Sequence, residues 1–383
     1  MIPEKTVTPE LHDAILLPPV ELLGLTTPAM VRDVEAEEGA RTLTGLFEQF
    51  HEDARPAGYV RGPAAVVHAI EFGDEGSAAR LVALAGNIAY ALPGARVHAG
   101  DGRGVVEVPS ARRARVVLGD LLAGVEAEGT RPLSAVFGAD GRGEAVTVDI
   151  ADLPHMLMAG ATGSGKSTCL HAIVLSVLMR ATPEQVRMIL IDMRSLELGR
   201  YAGVAHLVTP VVTDPDRAAQ ALVWAVREAE QRLDDLAVAG VRQVGDFNAA
   251  MRAGRAKEPL GAERKWAPYP LLLIAIDDLA DVLRSPRRRE IQDALLRIGT
   301  RGRTVGIHLV AGTRHPQAFA LPPRVAATMP ARLSFAATEG PGPTRDLRVG
   351  MAELRIPGAA PVQVWCADVG EREIDAVAKH WRA

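Results

Sequence analysis

From about Gly124 onward, short apolar runs alternate with longer segments in which apolar residues recur at helical spacing. Uninterrupted apolar runs are typical of strands covered on both faces. Their alternation with helices predicts a parallel sheet joined by crossover helices. The predicted strands are His155–Ala159, Val186–Ile191, Leu271–Ile276, Ile307–Ala311 and Arg332–Phe335.

Two long helices are predicted between these strands. The segment Lys166–Arg180 is apolar on nearly every side, which predicts a largely buried helix. A second helix is capped by Asp214, begins at Pro215 and ends at Gly240. Its apolar stripe consists of Leu222, Val226, Ala229, Leu233 and Leu236.

The first part of the chain is patterned differently, so three parts are predicted. Residues 1–35 are rich in proline and show no period, which indicates an arm or linker with one short docked segment. Residues 36–125 predict a small α+β domain, and residues 126–383 form the α/β part. The elements predicted in the small domain are helices at Ala40–Phe50 and Ser77–Ala91, strands at Ala64–Phe72, Ala95–Ala99 and Val105–Val108, and a helix or strand at Arg112–Leu122.

Composition narrows the class of protein. The 383 residues are 48% hydrophobic and 23% charged with a net charge of −4, which is typical of a globular protein and excludes a disordered chain. No apolar run is long enough to span a bilayer, and the first residues do not resemble a signal peptide. The two cysteines, Cys169 and Cys366, do not form a disulfide framework, so a cytoplasmic location is predicted. Aromatic residues make up only 4%, which argues against recognition of nucleic acid by base stacking.

Residues 160–168 carry the clearest chemical signal. The first eight of them fit the pattern G-x-x-x-x-G-K-[ST], which follows an apolar strand and opens a helix. In this pattern glycines let backbone N–H groups surround phosphate oxygens, the lysine reaches the β and γ phosphates, and the hydroxyl binds Mg²⁺. The sequence therefore predicts ATP and Mg²⁺ as ligands of Gly160, Ala161, Thr162, Gly163, Ser164, Gly165, Lys166, Ser167 and Thr168.

Two acids complete this site at the end of the strand Leu271–Ile276. Asp277 is predicted to hold Mg²⁺ together with Ser167, and Asp278 to orient the attacking water. The alternative for both acids is that they cap the next helix. The phosphate-binding loop upstream favours the catalytic interpretation.

These motifs, in this order, resemble the motor of FtsK/SpoIIIE-type DNA translocases. The similarity extends over most of the chain, through the segments PHMLMAGATGSGKST, LIDMRSLELGRYAGVAHLVTPVVTD, IAIDDLADVL, GIHLVAGTRHP and VQVWCADVGEREIDAVAKHW. The resemblance implies a RecA-like P-loop NTPase motor, preceded by a small α+β domain. It also implies a homo-oligomeric, hexameric ring that encloses double-stranded DNA and hydrolyses ATP between subunits. The family's membrane-spanning region and its C-terminal winged-helix domain are not found in this sequence, which predicts either a motor-only relative or a piece of a longer protein.

In the family an arginine from one subunit is offered to the γ-phosphate held by its neighbour. The matching stretch places Arg303 in that role, with Arg297 as a second candidate. Residues 281–303 carry seven arginines against three acids, and a ring that grips a phosphate backbone needs such local positive charge. The run Arg287, Arg288 and Arg289 is the predicted DNA-binding patch.

Four departures from the family pattern bear on catalysis. Asp278 stands where the family usually has Glu, which retracts the carboxylate by about 1.5 Å. Arg314 and His315 replace Gln-Arg, Arg194 replaces Lys, and the segment after Phe335 is shorter. Nucleotide binding is still expected, whereas full ATPase competence is not assured. Three functions therefore stay open: a DNA-translocating ATPase, which is favoured, a degenerate nucleotide-binding subunit, and a motor of the protein-secretion type.

Overall fold

Two β-sheets organise the chain in the computed structural model. The structure describes residues 16–25, 33–73, 77–100, 103–110, 113–125, 131–258, 264–314, 321–335 and 349–382. The elements of the first sheet and its helices are α1 (Val34–Gln49), β1 (Ala54–Arg61), β2 (Ala65–Phe72), α2 (Ala78–Ala83), α3 (Ala85–Ala91), β3 (Arg96–Gly100) and β4 (Arg103–Pro109).

This first sheet is antiparallel throughout, in the order β1-β2-β4-β3. Its separate core packs α1 and the two short helices on one face, with Leu43, Phe47 and Ile88 fully buried. The helix predicted over Ser77–Ala91 is interrupted at Leu84, where the backbone turns between α2 and α3. Strand β1 was not predicted, because its ARPAGYVR sequence contains proline and glycine. Such residues are tolerated on an exposed edge strand with a register shift, as here.

The second sheet has nine strands in the described part of the chain, in the order β6-β5-β13-β12-β11-β7-β10-β9-β8. Its elements and the helices around it are α4 (Leu118–Gly124), β5 (Ser134–Ala139), β6 (Ala145–Asp149), β7 (Met156–Ala159), α5 (Lys166–Leu178), β8 (Val186–Ile191), α6 (Pro215–Val238), α7 (Val244–Arg252), β9 (Leu271–Ile276), α8 (Leu279–Leu283), α9 (Arg288–Arg301), β10 (Ile307–Thr313), α10 (Pro323–Ala327), β11 (Ala331–Phe335), β12 (Met351–Arg355), β13 (Val362–Cys366) and α11 (Glu371–His380).

Strands β11, β7, β10, β9 and β8 are parallel and correspond to the five apolar runs in the sequence. The predicted α/β fold is therefore confirmed, and four antiparallel strands extend it at one edge. Those four were not predicted, since they are short and carry polar or glycine residues.

Side chains of successive strand residues point to opposite faces of this sheet, and each face has its own core. Met156 and Met158 of β7 pack on the side of α5, whereas Leu157 packs on the side of α6 and α9. Helix α5 has eleven of its thirteen residues buried, as its all-round apolar sequence predicts. Because both faces are covered, functional groups of the parallel strands are confined to their ends.

The predicted docked segment near the N-terminus is the 3₁₀-helix Val20–Leu23. Leu23 is only 2% exposed and belongs to the core on the α5 side of the large sheet. Among the helices described, none combines the length and the apolar character that a bilayer crossing requires.

Candidate functional site

The loop 160–165 connects β7 to α5 at the carboxyl end of the parallel strands. Two of its glycines, Gly163 (φ 77°) and Gly165 (φ 98°), have left-handed backbone conformations that side chains disfavour. A Cβ on Gly160 would lie 2.7 Å from Phe335 Cβ, and one on Gly165 would lie 2.7 Å from Gly350 Cα. The glycines of the motif are thus required by backbone conformation and close packing.

This geometry fits a bound phosphate chain. A Cβ on Gly163 would meet nothing within 4 Å, so the space beside the loop is open at this residue. The first N–H groups of α5 have no partner within the helix and are suited to an anion. Ser164 Oγ is fully buried and has no hydrogen-bond partner among the described residues. A cavity of about 390 Å³ lies in front of the loop. Its walls are residues 161–163 and 165–168, with His171, Arg194, Leu196, Glu197, Asp277, Arg314 and Val349.

Lys166 and Asp277 meet at the base of this cavity. Lys166 is 6% exposed, and its Nζ donates to the Asp277 carbonyl oxygen at 3.3 Å and lies 3.6 Å from Asp277 Oδ1. Burial raises the pKa of the Asp277 carboxyl, the Lys166 ammonium opposes this shift, and neighbouring carboxylates add to it. A further cation beside Asp277 would therefore be stabilised.

The same carboxylate fits a magnesium site. Ser167 Oγ donates to Asp277 Oδ1 at 3.5 Å. Two oxygen ligands at adjacent positions around Mg²⁺ lie about 3 Å apart, so this pair needs little adjustment to share one ion. The described residues contain no larger cluster of His, Cys, Asp or Glu that could hold a metal. Ser167 and Asp277 are thus the residues that would bind the metal of a metal–nucleotide complex.

Asp278 is placed differently from Asp277. One of its carboxylate oxygens accepts from the Ala280 N–H at 3.0 Å and caps α8, and the other accepts from Arg314 Nε. Its side chain is only 5% exposed, and it does not line the cavity. The role of Asp278 in orienting water stays a prediction, and both oxygens are engaged in this structure.

The turn after β8 supplies cavity residues that were not singled out from the sequence. Asp192 Oδ2 accepts from the N–H groups of Glu197 and Leu198, at 2.9 and 3.0 Å, and this holds Glu197 at the cavity wall. Glu197 Oε2 lies 3.3 Å from His171 Nε2 of α5, and this hydrogen bond lowers the pKa of the Glu197 carboxyl. The missed signal is His171, a polar residue among the apolar residues of the middle of α5.

A second cavity, of about 290 Å³, adjoins the first across Gly165, Thr168 and Val349. Its opposite wall is the connector 113–116, which follows β4 and hydrogen-bonds to Asp368 after β13. Arg115 Nε donates to Asp368 Oδ2 at 2.6 Å. The neighbouring Arg113 is half-buried, and no ion pair or hydrogen bond engages it within the described residues. Burial lowers the pKa of its guanidinium.

The predicted arginine finger, Arg303, lies at the opposite end of the parallel strands from the phosphate-binding loop. Arg303 is exposed in the 3₁₀-helix Gly302–Val305, just before β10, whereas the phosphate-binding loop adjoins the far end of that strand. Strand β10 has seven residues, which separates its two ends by about 20 Å. Arg303 therefore does not reach the cavity of its own chain. The second candidate, Arg297, is ion-paired with Glu230.

The predicted DNA patch lies at the start of α9. Arg287 forms an ion pair with Glu290 at 2.6 Å, which leaves its charge largely compensated. Arg288 and Arg289 are exposed, and no acidic side chain of the described residues pairs with them. Two of the three predicted arginines are thus available to an anionic partner.

Residues 123–320 match the sequence model of the FtsK/SpoIIIE family. The chain is 40% identical over 380 residues to the DNA translocase FtsK of Streptomyces coelicolor, covering 95% of this chain and 41% of that protein. It is 35% identical over 381 residues to the FtsK of Tropheryma whipplei, covering 95% of this chain and 50% of that protein. The chain therefore spans half or less of the length of these relatives.

Two solved structures share the fold at low sequence identity. The pCW3 conjugation coupling protein TcpA, in its monomer form with ATPγS, has a TM-score of 0.55 and 18% identity, over 89% of this chain and 99% of that chain. The cytoplasmic domain of the type VII secretion ATPase EccC of Thermomonospora curvata has a TM-score of 0.53 and 20% identity, over 70% of this chain and 34% of that chain. The resemblance inferred from the motifs is thus confirmed: the chain belongs to the FtsK/SpoIIIE family.

Proposed function

We propose that this chain is an ATP-dependent motor that translocates double-stranded DNA. The observation that carries the proposal is the convergence of Lys166, Ser167 and Asp277 beside a glycine loop at one end of the parallel strands. Membership of the FtsK/SpoIIIE family and the P-loop fold support an ATPase, and relatives of 35–40% identity are DNA translocases.

The two adjoining cavities suit the two halves of a nucleotide. The triphosphate would lie in the first cavity, on the loop 160–165 and the N-terminus of α5, where backbone N–H groups and Lys166 attract anions. The nucleoside would lie in the second cavity, which continues from the first past Thr168. Arg113, whose charge is not paired within the described part of the chain, would then meet the α-phosphate or the ribose hydroxyl groups.

Each residue of the first cavity has a distinct task in this proposal. Lys166 offsets charge on the β and γ phosphates, and Ser167 and Asp277 hold Mg²⁺, which neutralises charge that develops during phosphoryl transfer. Asp278 orients the attacking water once its carboxylate is released. Arg303 reaches the γ-phosphate of a neighbouring copy, since it lies far from the loop of its own chain. Catalysis then takes place between the subunits of a ring, for which we propose six members.

The DNA partner would meet Arg288 and Arg289, with Arg287 close by. These side chains at the start of α9 carry positive charge without the aromatic or amide groups that recognise bases, which suits contact with phosphates. The proposed compartment is the cytoplasm, where the buried free thiols of Cys169 and Cys366 stay reduced.

One observation favours a second candidate, a nucleotide-binding subunit that does not turn over. Both oxygens of Asp278 are engaged, one by the helix cap and one by Arg314. If Arg314 never releases Asp278, water is not oriented by this carboxylate and hydrolysis stays slow.

ATP hydrolysis with and without duplex DNA tests the proposal, with Lys166→Ala as the inactive reference. We expect DNA to raise the rate of the unaltered chain, with a stimulation that falls steeply as salt rises. Turnover equal to that of Lys166→Ala with DNA present would instead establish the non-hydrolysing subunit. Stimulation by a peptide substrate but not by DNA would establish a secretion-type motor.

A further inference from the structure

A cluster of charged side chains adjoins the first cavity and contributes Arg194 and Arg314 to its wall. At its centre is Asp281 of α8, whose side chain is only 13% exposed. Asp281 Oδ2 accepts from Arg194 Nε at 2.9 Å and from Arg314, and Oδ1 accepts from Arg284 Nη1 at 3.1 Å. Arg314 also donates to Asp278. Three guanidinium groups thus face two carboxylates, and the cluster carries one net positive charge.

The arginines of this cluster differ in their position relative to the cavity. Arg194 and Arg314 line it together with Lys166 and Ser167, whereas Arg284 does not and has a side chain that is 69% exposed. The backbone that precedes Arg314 is tied to the phosphate-binding loop, because the carbonyl of Thr313 accepts from the Gly160 N–H at 3.1 Å.

We propose that Arg314 is the residue that distinguishes ATP from ADP, by exchanging its carboxylate partner Asp278 for the terminal phosphate. This inference rests on the proposed function. A guanidinium binds phosphate through two parallel hydrogen bonds, as it binds a carboxylate. A terminal phosphate with its larger negative charge, placed in the cavity that Arg314 lines, competes with a carboxylate already shared with a helix cap.

The exchange has a consequence for Asp278. Once Arg314 turns to the phosphate, one carboxylate oxygen of Asp278 loses its ion pair while the other still caps α8. The free oxygen lies one residue from Asp277, the proposed metal ligand. Occupation by a triphosphate would therefore itself release the group that orients water, and a diphosphate would not.

The test compares the affinities of the chain for ATPγS and for ADP, both with Mg²⁺. For Arg314→Gln we expect binding of ATPγS to weaken about 10- to 100-fold, from the loss of a charge-assisted pair, and binding of ADP to change less than about threefold. Arg314→Lys, which keeps the charge but not the paired geometry, should lie in between. The matched control is Arg284→Gln. Arg284 also pairs with Asp281 but does not line the cavity, so its replacement should leave both affinities unchanged.

The other outcomes overturn the inference in recognisable ways. Equal weakening of ATPγS and ADP by Arg314→Gln would mean that Arg314 only supports the loop. If Arg314→Gln leaves both nucleotide affinities unchanged and speeds hydrolysis, Arg314 holds Asp278 whether or not a triphosphate is bound. If the unaltered chain binds neither nucleotide, the proposed function itself fails. Retained ADP binding by the Arg314 variants also reports that they are folded.

Discussion

Arg113 is the residue for which the structure predicts opposite effects on stability and on binding. Its guanidinium is half-buried beside the second cavity, and within the described residues it has no carboxylate partner. Because burial lowers its pKa, folding disfavours the charged form of this side chain. The substitution Arg113→Met removes the charge and keeps an unbranched apolar stem that can pack in the same place.

The size of each effect follows from the surroundings of Arg113, first without nucleotide and then with it. Removing a poorly solvated charge should leave the free energy of unfolding of the nucleotide-free chain unchanged or raise it by about 1 kcal/mol. Loss of a charge-assisted contact to the nucleotide should cost about 1.5–3 kcal/mol of binding, which is about a 10- to 100-fold weaker affinity. Because the second cavity would hold the nucleoside and lies away from the terminal phosphate, ATPγS and ADP should be weakened equally.

Calorimetric unfolding of the nucleotide-free chain and titration with both nucleotides measure the two effects. Arg115 on the same connector is the matched control, since it is exposed and already paired with Asp368. For Arg115→Met, which lies in the same cavity wall, we expect a loss of stability below about 1 kcal/mol and a weakening of both affinities smaller than that of Arg113→Met, because Asp368 already engages its charge. A lower melting temperature for Arg113→Met with unchanged affinities would identify Arg113 as a packing residue and refute the assignment of the nucleoside to this cavity.

Three further predictions concern the loop, the DNA patch and a buried histidine. Gly165→Ala should abolish nucleotide binding and destabilise the fold, because its Cβ would meet backbone at 2.7 Å. In Gly163→Ala the added Cβ meets nothing within 4 Å, so this variant should lose only about 1–2 kcal/mol of stability through the strain of its left-handed conformation. Equal melting temperatures for the Gly163→Ala and Gly165→Ala variants would contradict this. Replacing both Arg288 and Arg289 by Gln should weaken duplex DNA binding at all sequences and reduce the slope of log affinity against log salt by about 2; an unchanged slope would exclude them as phosphate contacts. Burial lowers the pKa of His308 to about 3, so as pH falls below about 6.5 only the unfolded chain gains this proton, and stability is lost by up to about 1.4 kcal/mol per pH unit down to about pH 3. His308→Gln should make the pH dependence of unfolding shallower, and an identical slope would refute the assignment.

The central sheet and the loop were predictable because both depend on local sequence. Most of the parallel strands are apolar runs, such as LLLIAI in β9, and the glycines at 163 and 165 are needed by the conformation of their own backbone. The antiparallel strands β5, β6, β12 and β13 were missed because they are short and carry polar or glycine residues. The pairing that joins these two hairpins, with Trp365 opposite Ala139, also links residues far apart along the chain.

The environment of the site could not be predicted for the same reason. Arg113 reaches the second cavity from a connector that precedes the loop by almost fifty residues, and nothing in its local sequence marks it as half-buried. Glu197 is placed by a turn that is pinned to Asp192, which sequence alone does not indicate. The motifs identify which groups carry the chemistry, whereas tertiary contacts decide which of these groups are free.

Asp278 and Arg314 show this most directly, because the sequence presents them as two separate departures from the family pattern. The structure places the two side chains in contact, so the two departures form one combined change, in which the long, charged Arg314 pairs with the shorter carboxylate of Asp278. An unpaired arginine at position 314 alone would leave an uncompensated charge in the cavity wall. Together they form a compensated pair that a third, anionic group can open. On the proposed function, the catalytic competence of this chain would depend on whether a terminal phosphate competes successfully for Arg314, and less on the length of the carboxylate at position 278.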